Sequence, residues 1–236
     1  MKNQYFGDVN DYRKYGLLRV LQAVGGGKLL VAWMLTPNDA SRDGLLRSYL
    51  SNAERWRHHD PQLFDGLRDL LQHDAVPAVS RIERSGLLPG AAYHSAMVPD
   101  AALDRAAWRE DLFAAARGAD LVFLDPDNGF EVASRPVGRS RSSKFVTWCE
   151  VEALWTLGCS VLVYQHFRRE ARDAFARRLA LELGERTGAT YVEAFRTPHV
   201  LFLLALQDRH VERYGPWAGL LSSRWAGQIE PIGLTG

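Results

Sequence analysis

Four short apolar runs set the architecture: residues 29–35 (LLVAWML), 120–124 (DLVFL), 159–164 (CSVLVY) and 200–206 (VLFLLAL). Each is rich in β-branched, leucine or aromatic residues and has the length of a strand covered on both faces. Weaker strand candidates are 78–83, 91–97 and 191–195, the last joined to the 200–206 run across residues 196–199 as a tight connection. Between the strands lie segments with helical spacing, at 11–23, 60–73, 104–117, 144–157 and 168–184. In the last of these Phe175, Leu179 and Leu183 recur every four residues while arginines occupy the other faces. Strands alternating with helices imply right-handed crossovers, and hence a mainly parallel sheet with helices on both faces. The final two strands are too close for a crossover, which demands a C-terminal antiparallel hairpin. The expected fold is an α/β, Rossmann-like three-layer sandwich. It forms one domain over residues 1–236, with a helical insertion at about 42–76.

Size and charge narrow the function classes. At 236 residues and 47% hydrophobic composition the chain can build one sizeable core. Lys plus Arg number 29 against 28 Asp plus Glu, so the net charge of +1 excludes a global polycation, and any contact with nucleic acid must be local. Two cysteines, Cys149 and Cys159, are too few for a disulfide framework or a four-cysteine zinc site, which fits a reducing cytoplasm. No apolar stretch approaches the ~20 residues that span a bilayer, and the polar residues 1–11 do not read as a signal peptide.

The strongest local feature is residues 121–131 (LVFLDPDNGFE), where an apolar strand delivers an acid at its carboxyl end and Pro126 with Gly129 forces a turn. Ligands of open α/β sheets sit outside the carboxyl ends of the strands, so Asp125, Pro126, Asp127 and Asn128 are the candidate catalytic residues. Turn chemistry alone also favours Asp, Asn, Pro and Gly, but three acids and an amide within seven residues exceed what a turn requires. The next strand ends in Tyr164, Gln165, His166 and Phe167, which parallel pairing would place beside Asp125. His166 is a candidate acid or base, and Gln165 a candidate for orienting a base or ribose. Basic residues follow both strands: Arg135, Arg139, Arg141 and Lys144 after one, Arg168, Arg169 and Arg172 after the other. They suit nucleic acid or a phosphate-bearing substrate, although basic runs are commonly just solvated faces. Near the amino terminus, Asp11 and Lys14 stand one helical turn apart, placed to pair with each other or to point at a ligand.

These pieces together resemble the J-type large-subunit ribosomal RNA adenine-N6 methyltransferases. The resemblance rests on Gly7, Asp11 and Lys14, on a first strand at 29–35 followed by a helical insertion, and on Asp125-Pro126-Asp127-Asn128 in the place of an Asp-Pro-Pro-Tyr motif. The late hairpin and residues 215–217 add to it. It implies a methyltransferase-like fold, S-adenosylmethionine as cofactor and transfer to an amino group of a nucleic-acid base. Asp125 would accept from the amine, Lys14 would contact the cofactor or substrate, and Thr36, Asn38 and Asp39 would line the cofactor cleft. Three departures stand beside it. Residues 36–41 (TPNDAS) replace the Gly-rich turn after the first strand, and only Glu83 is a candidate ribose acid. The aromatic that would stack on a flipped base moves to Phe130. Those departures keep two alternatives open: a Mg²⁺-dependent nuclease or phosphohydrolase using Asp125, Asp127 and Glu131, and a non-catalytic binding module of methyltransferase-like fold.

Overall fold

In the computed structural model, which describes residues 1–40, 44–71, 76–214 and 217–234, the four apolar runs become four adjacent strands. They are β1 (Leu29–Ala32), β3 (Leu121–Leu124), β6 (Ser160–His166) and β8 (Val200–Leu206), and every residue in them is buried except His166. β2 (Ala92–His94) lies outside β1, and β7 (Tyr191–Arg196) and β9 (Glu230–Ile232) lie outside β8. Among the described residues the seven-stranded sheet has the order β2-β1-β3-β6-β8-β7-β9. Pairing is parallel from β2 to β6 and antiparallel from β6 onward. Five strands therefore share one direction, and β8 and β9 oppose them. The sheet is mostly parallel and compatible with a Rossmann-like fold. A two-stranded pair, β4 (Gly129–Phe130) with β5 (Phe145–Val146), stands apart from it.

Alternation along β1 shows how the sheet is covered. Leu29 and Val31, with Trp33 just beyond, enter one apolar cluster, and Leu30, Ala32 and Met34 enter the other. The first cluster takes in α1 (Val9–Gly25), α3 (Pro61–Leu71), α4 (Ser80–Ser85) and α9 (Trp217–Arg224). The second takes in α5 (Ala102–Ala116), α6 (Trp148–Thr156) and α7 (Arg172–Thr187). Two short helices complete the set, α2 (Ala53–Trp56) after β1 and α8 (Asp208–Tyr214) after β8. No helix among the described residues is long and apolar enough to cross a membrane.

Three expected boundaries are corrected. Residues 78–83 run into α4, which begins at Ser80, and form no strand. Val79 and Ile82, three apart, are both buried, which is a helical period. The helix expected at 144–157 begins at Trp148, because Phe145 and Val146 pair with Gly129 and Phe130, and Thr147 with Glu150 then forms a capping box. The helix expected at 168–184 begins at Arg172, leaving Arg168 and Arg169 ahead of it. Residues 215–216 fall outside the described residues.

α5 and α6 are locked together by a buried ion pair. Arg105 donates to both oxygens of Glu150, each at 2.7 Å, and to Phe145 O at 3.0 Å. Neither side chain is more than 1% exposed. Removing one member strands the other charge in a dry interior. Glu150→Ala is therefore expected to lower the unfolding free energy in urea by about 3–5 kcal/mol, and the apolar double change Arg105→Met with Glu150→Leu to recover most of that loss.

Candidate functional site

Parallel register brings the carboxyl ends of β1 and β3 level, since Leu124 pairs with Ala32, while β6, whose Val163 pairs with Leu124, runs on to His166. Asp125 is the first residue past that line and is 1% exposed, its amide held by Ala32 O at 3.0 Å. α1 crosses the same edge. Asp8 caps it, accepting from Asn10 N at 2.5 Å, and Asp11 accepts from Gly7 N at 2.9 Å. Gly7 needs its positive φ of 85° for this turn. One turn further, Lys14 Nζ lies 2.9 Å from Asp11 Oδ1 and 2.7 Å from Asp125 Oδ2, and all three groups are buried. A single ammonium thus joins α1 to β3. Burial pulls the Lys14 ammonium down, but Asp11 and Asp125 outweigh it and hold it above its ordinary value. For Asp125 the balance goes the other way: burial raises its carboxyl despite Lys14.

The turn after Asp125 is built by the next strand. Gln165, from β6, accepts from Phe130 N at 2.8 Å and donates to Asn128 O at 3.1 Å. Its amide lies so close to Gly129, at a φ of 111°, that a Cβ there would meet Gln165 Oε1 at 2.1 Å. Gln165 is thereby a support for the turn, and no base or ribose is needed to explain it. Phe130 is buried and stacks on Trp148 with ring centroids 4.0 Å apart, so it is not placed to stack on a base.

Crossing the carboxyl ends of β1 and β3 is the segment from Met1 to Gln4. Met1 O accepts from Thr36 N at 2.9 Å, and the Met1 ammonium reaches Met34 O, Asp125 O and, at 2.8 Å, Asp127 Oδ1. Thr36 donates to Asp127 Oδ2 at 2.7 Å. Burial would raise the Asp127 carboxyl, but the Met1 ammonium and Thr36 hydroxyl hold it below the usual range. Gln4 bonds to both Asn38 and Asp39, and Lys2 pairs with Asp39. Four residues expected to line a cofactor cleft, Lys14, Thr36, Asn38 and Asp39, all spend polar groups on partners within the chain.

A cavity of about 480 Å³ opens on the β6 side of this segment. Asp125, Pro126, Asp127 and Asn128 line it, as do Lys14, Asp39 and Lys144. Asp8, Asn10, Asp11, Tyr164 and His166 also line it, with Lys2 and Tyr5. Asp8 is absent from the residues expected from the sequence; the local signal for it is an acid directly before the first residue of α1, and nothing in the pattern ties it to Asp125. Arg135, Arg139, Arg141, Arg168 and Arg169 are exposed and do not line the cavity. Glu131 accepts from Trp148 N at 2.8 Å, and Asp125 and Asp127 face ammonium groups. Among the described residues no three His, Cys, Asp or Glu side chains are grouped to hold a metal ion, so the expected Mg²⁺ set does not form. Glu83 accepts from Trp33 Nε1 at 2.8 Å and sits on a helix instead of ending a strand.

At the opposite edge Ser160 Oγ lies 2.8 Å from His210 Nδ1, whose Nε2 lies 3.2 Å from Asp120. These are the residue types of a nucleophilic triad. Ser160 is fully buried, however, and its oxygen already accepts from Gln207 N at 3.0 Å, so the set ties β6 to α8.

No protein-family model matches the chain, and comparison with curated proteins and with solved structures returns no match either.

Asp8 is 5% exposed, and burial followed by repulsion from Asp11 raises its carboxyl to about 6. A raised carboxyl means that the folded chain binds the extra proton, so stability falls as pH rises from about 4 to about 6. Asp8→Asn keeps a capping oxygen and removes the titration. Relative to the parent, this variant is expected to gain ~2.5 kcal/mol on going from pH 4 to pH 7, read from urea unfolding at both pH values.

Proposed function

We propose that the chain is a binding module of methyltransferase-like fold, whose cavity receives the amino group of a nucleic-acid base on Asp125 without S-adenosylmethionine in the adjoining crevice. Support comes first from topology. A reversed strand, β8, lies between β6 and the outer β7, and class I methyltransferases share that arrangement. The switch point of this sheet, where the chain passes from β2 on one side of β1 to β3 on the other, is where an open α/β sheet ordinarily takes its ligand.

The observation that carries the reading is the strap of Met1–Gln4 across that switch point, next to a cavity one strand over. Thr36, Asn38 and Asp39, which a cofactor would need, bind the strap instead. Met34, just past β1, holds a φ of 47°, and its backbone O accepts from the Met1 ammonium, which places the strap against the end of the strand. The residues present do not fit S-adenosylmethionine there, and no methyl-transfer step is assigned. Asp125 and Asn128 line a concave, partly apolar pocket, where Asp125 Oδ1 is the carboxylate oxygen left over by Lys14, which bonds Oδ2. Such a site discriminates by hydrogen bonding, because a ligand lacking the donor leaves a buried acceptor unmatched.

Calorimetry with adenosine, inosine, S-adenosylmethionine and Mg²⁺ tests this. Adenosine is expected to bind at least about tenfold more tightly than inosine, which lacks the amino group, and Asp125→Asn to remove that ratio. S-adenosylmethionine and Mg²⁺ are expected to give no heat. Saturable binding of S-adenosylmethionine would refute the closed crevice, and equal binding of the two nucleosides would refute the role of Asp125.

A further inference from the structure

The cavity has two walls of opposite character. Asp8, Asp11, Asp125 and Asp127 form the buried wall, each at most 7% exposed. Three of these four face an ammonium, though only two ammoniums serve them: Asp11 and Asp125 share Lys14, and Asp127 faces the Met1 ammonium. Toward solvent lie Lys144 and Asn128, both half-buried, and the exposed His166.

Lys144 is the outermost cation of this wall and pairs loosely with Asp127. Its Nζ lies 3.7 Å from Asp127 Oδ2, an ion pair too long to be a hydrogen bond. Among the described residues no hydrogen bond uses the Lys144 ammonium, which lines the cavity with its donors unspent beyond that ion pair. The backbone that carries it is nevertheless fixed. Lys144 O accepts from Asn128 N at 2.9 Å, and the next two residues pair with Gly129 and Phe130. On its other side Asp100 accepts from Arg141 N at 2.8 Å, from Ser143 N at 2.7 Å and from Ser142 Oγ at 3.3 Å. This clamp holds Arg141 at a φ of 67°, a left-handed conformation that a residue with a side chain adopts only at a cost. A strained, anchored loop thus presents an ammonium with donors to spare at the mouth of a polar cavity.

We infer that this loop forms a phosphate subsite, with Lys144 as its charged donor and the Asn128 amide and His166 beside it, so that the cavity takes a nucleotide with its phosphate at the mouth. The orientation of the base rests on the proposed role of Asp125; the phosphate subsite does not. Lys14 and the Met1 ammonium offset two of the four wall carboxylates, so Lys144 is the cation available to an anion at the mouth, and its hydrogen bond to phosphate is charge-assisted.

The test is calorimetry with adenosine 5′-monophosphate, adenosine and inorganic phosphate, on the whole chain and on Lys144→Gln, Lys144→Arg and Asp100→Ala. The monophosphate is expected to bind about tenfold more tightly than adenosine, a preference lost in Lys144→Gln, weakened in Asp100→Ala and kept in Lys144→Arg. Arg117→Gln removes one exposed positive charge at the opposite edge and is expected to leave the preference intact, which separates a local subsite from overall charge. Circular dichroism of each variant confirms that it is folded. Equal affinities for adenosine and its monophosphate, or a preference that survives Lys144→Gln, would overturn the subsite. Binding of monophosphate and phosphate but not of adenosine, with loss in Lys144→Gln, would uphold the subsite and refute the role of Asp125 instead.

Discussion

The arrangement at the carboxyl edge hangs on one buried ammonium. Lys14 belongs to the first helix and Asp125 to a strand more than a hundred residues later, yet they meet at 2.7 Å with almost no exposure. A charge of either sign left alone there would cost several kcal/mol, so the pair admits few relative positions of α1 and β3. Asp11 shares the same ammonium and fixes Gly7, and through that turn it aims residues 1–6 across the sheet. Tyr164 stacks its ring 5.1 Å from the Lys14 Nζ, which brings β6 into the same contact. The strap, the helix cap and the cavity wall are all placed by this one charge.

Much of the scaffold is legible in the order of the amino acids alone, because periodicity reports burial. The four apolar runs are the four central strands, and the closeness of the 191–195 and 200–206 runs is enough to require an antiparallel hairpin. Where the pattern misleads, the cause is short range. Val79 and Ile82 sit in a segment too brief to separate a period of two from one of three or four. β4 and β5 hold two residues each and have no signal of their own, and β9 pairs through Pro231, which argues against a strand in any local scale.

The site is legible to the same extent, and for a comparable reason. Asp125 to Asn128 announce themselves by ending a strand with more polar groups than a turn needs. Lys14 is visible through its spacing from Asp11. The strap is not visible, since the bonds from Met1 and Gln4 to residues 36–39 span more than thirty positions and involve polar groups with no periodic pattern. Nor does any local pattern reveal that Gln165 is consumed by the turn beside it, or that Ser160, His210 and Asp120 assemble a triad of residue types with no access to substrate. In both cases burial, not residue type, decides what a polar group can do.

The outermost strand has a bearing on how the molecule behaves in company. β9 places Pro231 opposite Phe195, flanked by Glu230, whose carboxylate pairs with Arg196 at 3.2 Å. Proline has no amide hydrogen to offer a further strand, and a charge beside it disfavours stacking of a second chain along that margin. The β2 margin is only three residues long. A sheet whose central strands are almost wholly apolar is thus bounded on each side by a segment that gives a neighbouring chain little to pair with, a safeguard against strand-by-strand aggregation.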